Sequence, residues 1–208
     1  MDNLEQLIET LAEDTKVVQP APHPFLLSLK WMSAILVYVF VLLAVTGFRP
    51  DLIHKLHEPL FAAEIASLFS VFVATSISAA LLAFPDLHQK RVAASSPVLM
   101  LALLMLSIVF AWHADSAPIP VHTYECTACI FLVAFLPAAL MFYSMRKLAS
   151  TNRLAGSIVL LCAFSIGALW LRLHEINDSI VHVIQWHYLP MFVFGLLGYW
   201  IGKALLKW

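Results

Sequence analysis

The sequence predicts an all-α, polytopic membrane protein with six transmembrane helices and a short N-terminal cytoplasmic amphipathic helix. Three observations predict it. Of the 208 residues, 62% are hydrophobic and only 12% are charged, about half the charged fraction of a soluble domain. Six apolar stretches approach the roughly 20 residues that a helix needs to cross a bilayer. The first residues, DNLEQLIETLAEDTKVV from Asp2 to Val18, have the opposite character.

In that front stretch Leu4, Leu7, Ile8 and Leu11 fall at i, i+3, i+4 and i+7 and line one helix face, with Glu5, Glu9, Glu13 and Asp14 on the others. Asp2 or Asn3 can cap its start, and early acidic residues suit the helix dipole. So short a helix is marginal alone in water. Burying its four apolar side chains is worth about 6–12 kcal/mol gross, much of it offset by ordering the chain. The surplus suits reversible docking of the helix in a partner's groove. A helix lying on a bilayer favours Lys and Arg on its polar face, whereas this one is acidic. The acidic start followed by Pro20, Pro22 and Pro24 does not read as a cleaved signal peptide.

The chain divides at residue 30. Residues 1–29 read as the cytoplasmic partner-binding segment and 30–208 as the transmembrane domain. The spans run near Lys30–Gly47, Ala62–Phe84, Pro97–Trp112, Thr127–Met145, Leu154–Leu173 and Trp186–Leu206. Arg49-Pro50-Asp51 ends the first and Pro85-Asp86 the second. Pro118 and Pro120 lie after the third, and 147–153 separates the fourth from the fifth.

With the N-terminus in the cytoplasm, Lys16, Lys30, Lys90, Arg91, Arg146, Lys147, Arg153, Lys203 and Lys207 lie inside, and only Arg49, Lys55 and Arg172 lie outside. This bias predicts two cytoplasmic termini in a bacterial inner membrane. No charge falls near the centre of a span, and Glu64 comes closest, at the outer end of the second. That argues against a proton relay or a charged intramembrane active site. Gly198 and Gly202 form a GxxxG that would allow close packing or a homo-oligomer. The scattered basic residues give no nucleic-acid footprint.

The expected outer side collects His54, His57, His113, His122, His174, His182 and His187, together with carboxylates that include Asp51, Glu58, Glu64, Glu125, Glu175 and Asp178. Imidazole and carboxylate are ligands for borderline and hard divalent metals. If 174–182 is helical, His174, Asp178 and His182 share a face at i, i+4 and i+8. With His122 they are the candidate metal ligands, and a divalent metal is the candidate cofactor. Cys126 and Cys129 make a C-x-x-C at the start of the fourth span. It reads as a redox pair with a lowered thiol pKa, as a zinc half-site beside His122 and Glu125, or as two packed thiols. Cys162, among Leu and Ala, reads as packed. Serine-hydrolase elbow, phosphate loop and H-E-x-x-H are all missing.

Taken together, these residues resemble those of the NrsF-type membrane anti-sigma factors, negative regulators of extracytoplasmic-function (ECF) sigma factors. The similar stretches are Leu7-Ile8-Glu9-Thr10-Leu11-Ala12-Glu13-Asp14, the Val18–Pro20 exit and Trp31, Arg49-Pro50-Asp51-Leu52, Cys126 or Cys129, and Leu154-Ala155-Gly156. They continue through Leu173-His174, Asp178-Ser179 and Trp186 to the close from Gly198 through Gly202 to Trp208. The resemblance implies a six-span inner-membrane protein, not an enzyme, whose N-terminal segment holds a sigma factor until an envelope signal arrives. The implied partner is an ECF sigma factor, with no direct nucleic-acid contact. The docking set is Leu4, Leu7, Ile8, Leu11, Ala12 and Asp14, and the sensing set is Cys126, Cys129, His174, Glu175 and Asp178. The family often has a cysteine where this chain has Glu175, so a redox pair is not carried over onto that position. The alternative expectation is a metal-dependent intramembrane hydrolase or metal carrier using the outer-face histidines.

Overall fold

The computed structural model describes residues 5–6, 8–9, 22–84, 91–114, 124–148 and 152–206. Near the front, Glu5, Gln6, Ile8 and Glu9 are helical and exposed. Leu4, Leu7, Leu11, Ala12 and Asp14 lie outside the described residues. From Pro24 onward the elements are α1 (Pro24–Thr46), α2 (Leu52–Leu56), α3 (Pro59–Leu82), α4 (Arg91–Ala114), α5 (Tyr124–Arg146), α6 (Ala155–His174) and α7 (Ile180–Val183). A π-helical turn (Ile184–Tyr188) and α8 (Leu189–Leu205) complete the chain. Every described element is helical, and six helices are long and apolar enough to cross a membrane.

Five of the spans begin earlier than expected, the first and the sixth by six residues. Pro24 stands in the first turn of α1, where its missing N–H would have no helical partner and its fixed φ fits. The first span therefore starts six residues before Lys30. The sixth runs unbroken from Ile180 to Leu205, also six residues before Trp186. α1 stops at Gly47, whose φ of 89° lies in the left-handed region that only glycine adopts freely.

The spans pack around α6. α3, α5 and α8 pack closely against it, and α1 does so more lightly, while α4 packs on α3 at the edge. Along α1, Leu27, Trp31, Ile35, Val39 and Leu43 are buried at four-residue spacing, whereas Val37, Phe40, Val41 and Val45 are exposed. That division suits one protein-facing stripe on a helix otherwise in lipid. α6 has no such lipid face over most of its length, and its residues from Val159 through Arg172 are all buried.

Lipid tails compete with apolar side chains, so membrane helices gain contact through small residues that let backbones approach. A methyl group on Gly156 of α6 would stand 2.5 Å from Gly202 Cα and collide with the Gly198 carbonyl of α8. The GxxxG of α8 is thus spent inside the chain, against α6, rather than on a face left for a second copy. Cys162 is fully buried, as expected.

The fold predicts opposite outcomes at two glycines. Gly156→Ala lowers the melting temperature of the detergent-solubilised protein, at about 1–3 kcal/mol for overpacking against backbone. Gly195→Ala meets only the flexible Leu161 side chain at 3.4 Å. It holds or raises that temperature, because Ala is the better helix former by about 1 kcal/mol.

Candidate functional site

Polar side chains gather at one end of the bundle, where α1 meets α2 and where α6 meets α7. We call it the arginine end. Helix α6 closes at His174, and Glu175 turns extended at φ −84°, ψ 141°. Residues 175–179 are not helical. Asn177 Oδ1 accepts the Ser179 N–H at 3.1 Å, a local turn that competes with the helix.

Asp178 then reaches sideways into a knot of charges. Arg49 Nη1 and Nη2 each donate to an Asp178 oxygen at 2.9 Å, and Arg49 Nε and Nη2 grip Asp51 at 2.8 and 2.9 Å. Arg172, near the end of α6, donates through Nε and Nη2 to Glu64 of α3 at 2.9 Å each. Its Nη1 meets Asp178 at 3.3 Å and the Asn177 carbonyl at 3.0 Å. Lys55 Nζ lies 3.1 Å from Asp178 and 2.9 Å from Glu58. The Tyr188 hydroxyl donates to Glu64. Both guanidiniums lie over the Phe61 ring, at 5.2 and 5.0 Å. Arg49, Arg172 and Glu64 are all buried, so each is viable only because it is paired.

Burial alone would raise the Asp178 carboxyl, but Arg49, Lys55 and Arg172 hold it down at about 2. The Arg49 hydrogen bonds likewise lower Asp51. Lys55 is raised, chiefly by its bond to Glu58.

A second cluster sits three residues back along the chain. Cys126 Sγ, in the first turn of α5, is 3.5 Å from both Glu175 oxygens and 3.5 Å from His182 Nε2. His182 Nε2 is 3.4 Å from Glu175 Oε1, and His187 Nε2 is 3.2 Å from Oε2. Ligand atoms of these four residues all lie within 4.8 Å of one another. His182 and His187 are buried at 1% and 0% exposure. His182 Nδ1 and both ring nitrogens of His187 have no hydrogen-bond partner. The close His187–Glu175 approach is therefore off the hydrogen-bond line.

The π-helical turn builds both clusters at once. In an α-helix, positions five apart point about 140° away from each other. The wider turn of a π-helix brings them together, and the rings of His182 and His187 meet at 5.2 Å. The next residue, Tyr188, falls to the Glu64–Arg172 pair. Thr127 Oγ1 donates to the Trp186 carbonyl at 2.9 Å and ties α5 to this turn.

The expected metal face of His174, Asp178 and His182 does not form, because 175–179 leaves the helix. Asp178 goes to the arginines. His174 stacks on Trp170 and its Nδ1 lies 2.8 Å from the Gly47 carbonyl oxygen. Only His182 of that set enters the metal-competent cluster, and His122 lies outside the described residues. Cys126 and Glu175, expected as sensing residues, supply two of the other ligands. The fourth, His187, was visible only as one of the expected outer histidines. Cys126 and Cys129 are both free thiols, not a local disulfide. The positions of the fourth-span cysteine and of Glu175 do meet, as thiol and carboxylate.

The chain matches the family described as NrsF, negative regulator of sigma F, over residues 11–208. It is a member of the NrsF family. No curated protein and no solved structure matches it. As an NrsF member with six membrane-capable helices, the chain is a multi-pass regulator that acts negatively on a sigma factor.

Two outcomes follow for the knot. Arg172→Met lowers thermal stability in detergent by about 3–5 kcal/mol, because Glu64 is left buried without its counter-charge and with only the Tyr188 hydroxyl as a donor, and adding Glu64→Met recovers much of the loss. Asp178 has a depressed pKa, so its contribution is complete above its unfolded value of about 3.9 and disappears as pH falls toward 2. Protection of the 175–179 amides against hydrogen exchange, taken relative to the intrinsic rate at each pH, should fall across that window in wild type, and Asp178→Asn should show low protection at every pH.

Proposed function

We propose that this NrsF protein is a membrane anti-sigma factor that holds an ECF sigma factor through its N-terminal segment. The observation that carries the reading is family membership as a negative regulator of a sigma factor in a chain built largely of membrane-capable helices. A soluble transcription factor has to be met by a part outside the bilayer. Residues 2–18 are the one long acidic and amphipathic stretch in the sequence.

In this reading both termini are cytoplasmic in a bacterial inner membrane, supported by the nine Lys and Arg on that side against three on the other. The arginine end then faces the envelope side and receives the signal, and Glu175 and Asp178 sit where it arrives. Leu4, Leu7, Ile8 and Leu11 form the docking stripe, flanked by Ala12 and Asp14. Release follows when a change at the envelope end alters how the spans pack.

The test is co-purification of the full-length protein with its cognate sigma factor. Leu7→Asp with Leu11→Asp should abolish recovery of the sigma factor and raise sigma-dependent transcription to the level of a strain lacking the regulator. Undiminished repression by the double variant would show that the stripe is not the docking face. Labelling that found the termini outside would overturn the orientation.

A further inference from the structure

We propose that Cys126, Glu175, His182 and His187 form a binding site for a divalent cation of the zinc class. The donors are the Cys126 thiolate, one Glu175 oxygen and Nε2 of each histidine. Three independent observations point there.

The first is spacing. Zinc bonds of about 2.0 Å to nitrogen and oxygen and about 2.3 Å to sulfur, set tetrahedrally, put nitrogen and oxygen ligands roughly 3.3 Å apart. By the same bond lengths sulfur stands about 3.5 Å from either. His182 Nε2 stands 3.4 Å from Glu175 Oε1, His187 Nε2 stands 3.2 Å from Oε2, and Cys126 Sγ is 3.5 Å from both oxygens and from His182 Nε2. All four ligand atoms lie within 4.8 Å of one another, so a cation entering this frame would draw the wider pairs inward by about 1 Å to reach tetrahedral spacing.

The second is the state of the buried groups. His187 is fully buried, and its Nε2 lies beside the Glu175 carboxylate without making a hydrogen bond. Leaving a buried polar nitrogen unpaired costs about 1–3 kcal/mol. A structural His–Glu pair would align the N–H with the oxygen. A lone pair aimed at a shared centre needs no such alignment.

The third is the donor set. One thiolate, two imidazoles and one carboxylate suit zinc and its borderline relatives and exclude magnesium and calcium, which need shells of oxygen. Binding converts the Cys126 thiol to thiolate and releases its proton to solvent. Glu175 and Cys126 are only partly buried, so the cation enters from the loop end of the bundle. Its ligands come from α5, from the residue after α6, from α7 and from the π-helical turn. A bound cation would therefore cross-link the start of the fourth span, the residue after the fifth and the start of the sixth.

The test uses the full-length protein in detergent, purified without a histidine tag, stripped with a chelator and titrated with Zn²⁺ alone. One equivalent should bind per chain and raise the melting temperature. Co²⁺ in its place should give a thiolate-to-metal absorption band. Cys126→Ser should remove that band. His187→Gln should weaken zinc binding by more than about ten-fold, a loss that even outer-shell changes produce. Cys129→Ser should leave binding intact. Should His187→Gln fail to fold by circular dichroism, the partly exposed Glu175→Gln reads the same loss. Absence of stoichiometric zinc, or affinity unchanged in both Cys126→Ser and Glu175→Gln, overturns the proposal. Neither result bears on the sigma-factor pull-down, which tests the N-terminal segment separately.

Discussion

One carboxylate, Asp178, is shared between two buried arginines, and the arginine end is built on that sharing. Arg49 arrives from the turn after the first span and Arg172 from the last turn of α6. Neither guanidinium could stay buried alone. Asp178 can reach both only because 175–179 abandons the helix. The loss of regular structure there is the condition for closing the bundle. It fixes the first, second, fifth and sixth spans relative to one another through Arg49, Glu64, Arg172 and Tyr188.

Burying so many charges is weak evidence for stability, since well-packed apolar residues often do as well. Register is the stronger role. In lipid the helices are held by shape and polar contacts, with little hydrophobic drive between them. Small residues set how closely α6 approaches its neighbours, as at Gly156 against Gly198 and Gly202. Close smooth contacts of that kind tolerate sliding. Fork-on-fork pairing of Arg172 with Glu64 does not, because two parallel hydrogen bonds fit only one axial position. Glycine contacts therefore set distance, and the arginine knot sets position along the axis.

The architecture was legible from composition and span length, since only a helix satisfies its backbone in hydrocarbon without a partner strand. Helix starts were less legible. The first span was expected from Lys30, although Pro24 is well suited to the first turn of a helix. The charges and histidines of the polar end were named from the sequence, but Tyr188 was not, and neither was their grouping. Reading 174–182 as one α-helix paired His174 with Asp178 and His182. That periodicity fails twice, at the turn after Glu175 and at the π-helical turn, and no rule of fours and threes can bring His187 beside His182. One available signal was charge balance. Glu64 and Arg172 are opposite charges, each within two turns of a span end on the expected outer side, where each needs a counter-charge.

Glu175 and Asp178 are three residues apart in a segment with no helix of its own, yet they belong to different clusters. Glu175 faces a thiol and two imidazoles, and Asp178 faces two guanidiniums and an ammonium. A change in what Glu175 binds pulls on a tether that Asp178 anchors. The first rigid body it meets is α6, which ends one residue before Glu175 and touches four other spans. At its other end α6 lies against α8 through bare glycine backbone. A shift of α6 along its axis would keep that sliding contact while breaking the directional pairs at Arg172. On the proposed orientation this carries a disturbance from the envelope side to the cytoplasmic end of the bundle by contiguous packing. The helix that does so is the one with the least lipid around it, and therefore the one whose movement the other spans must accommodate.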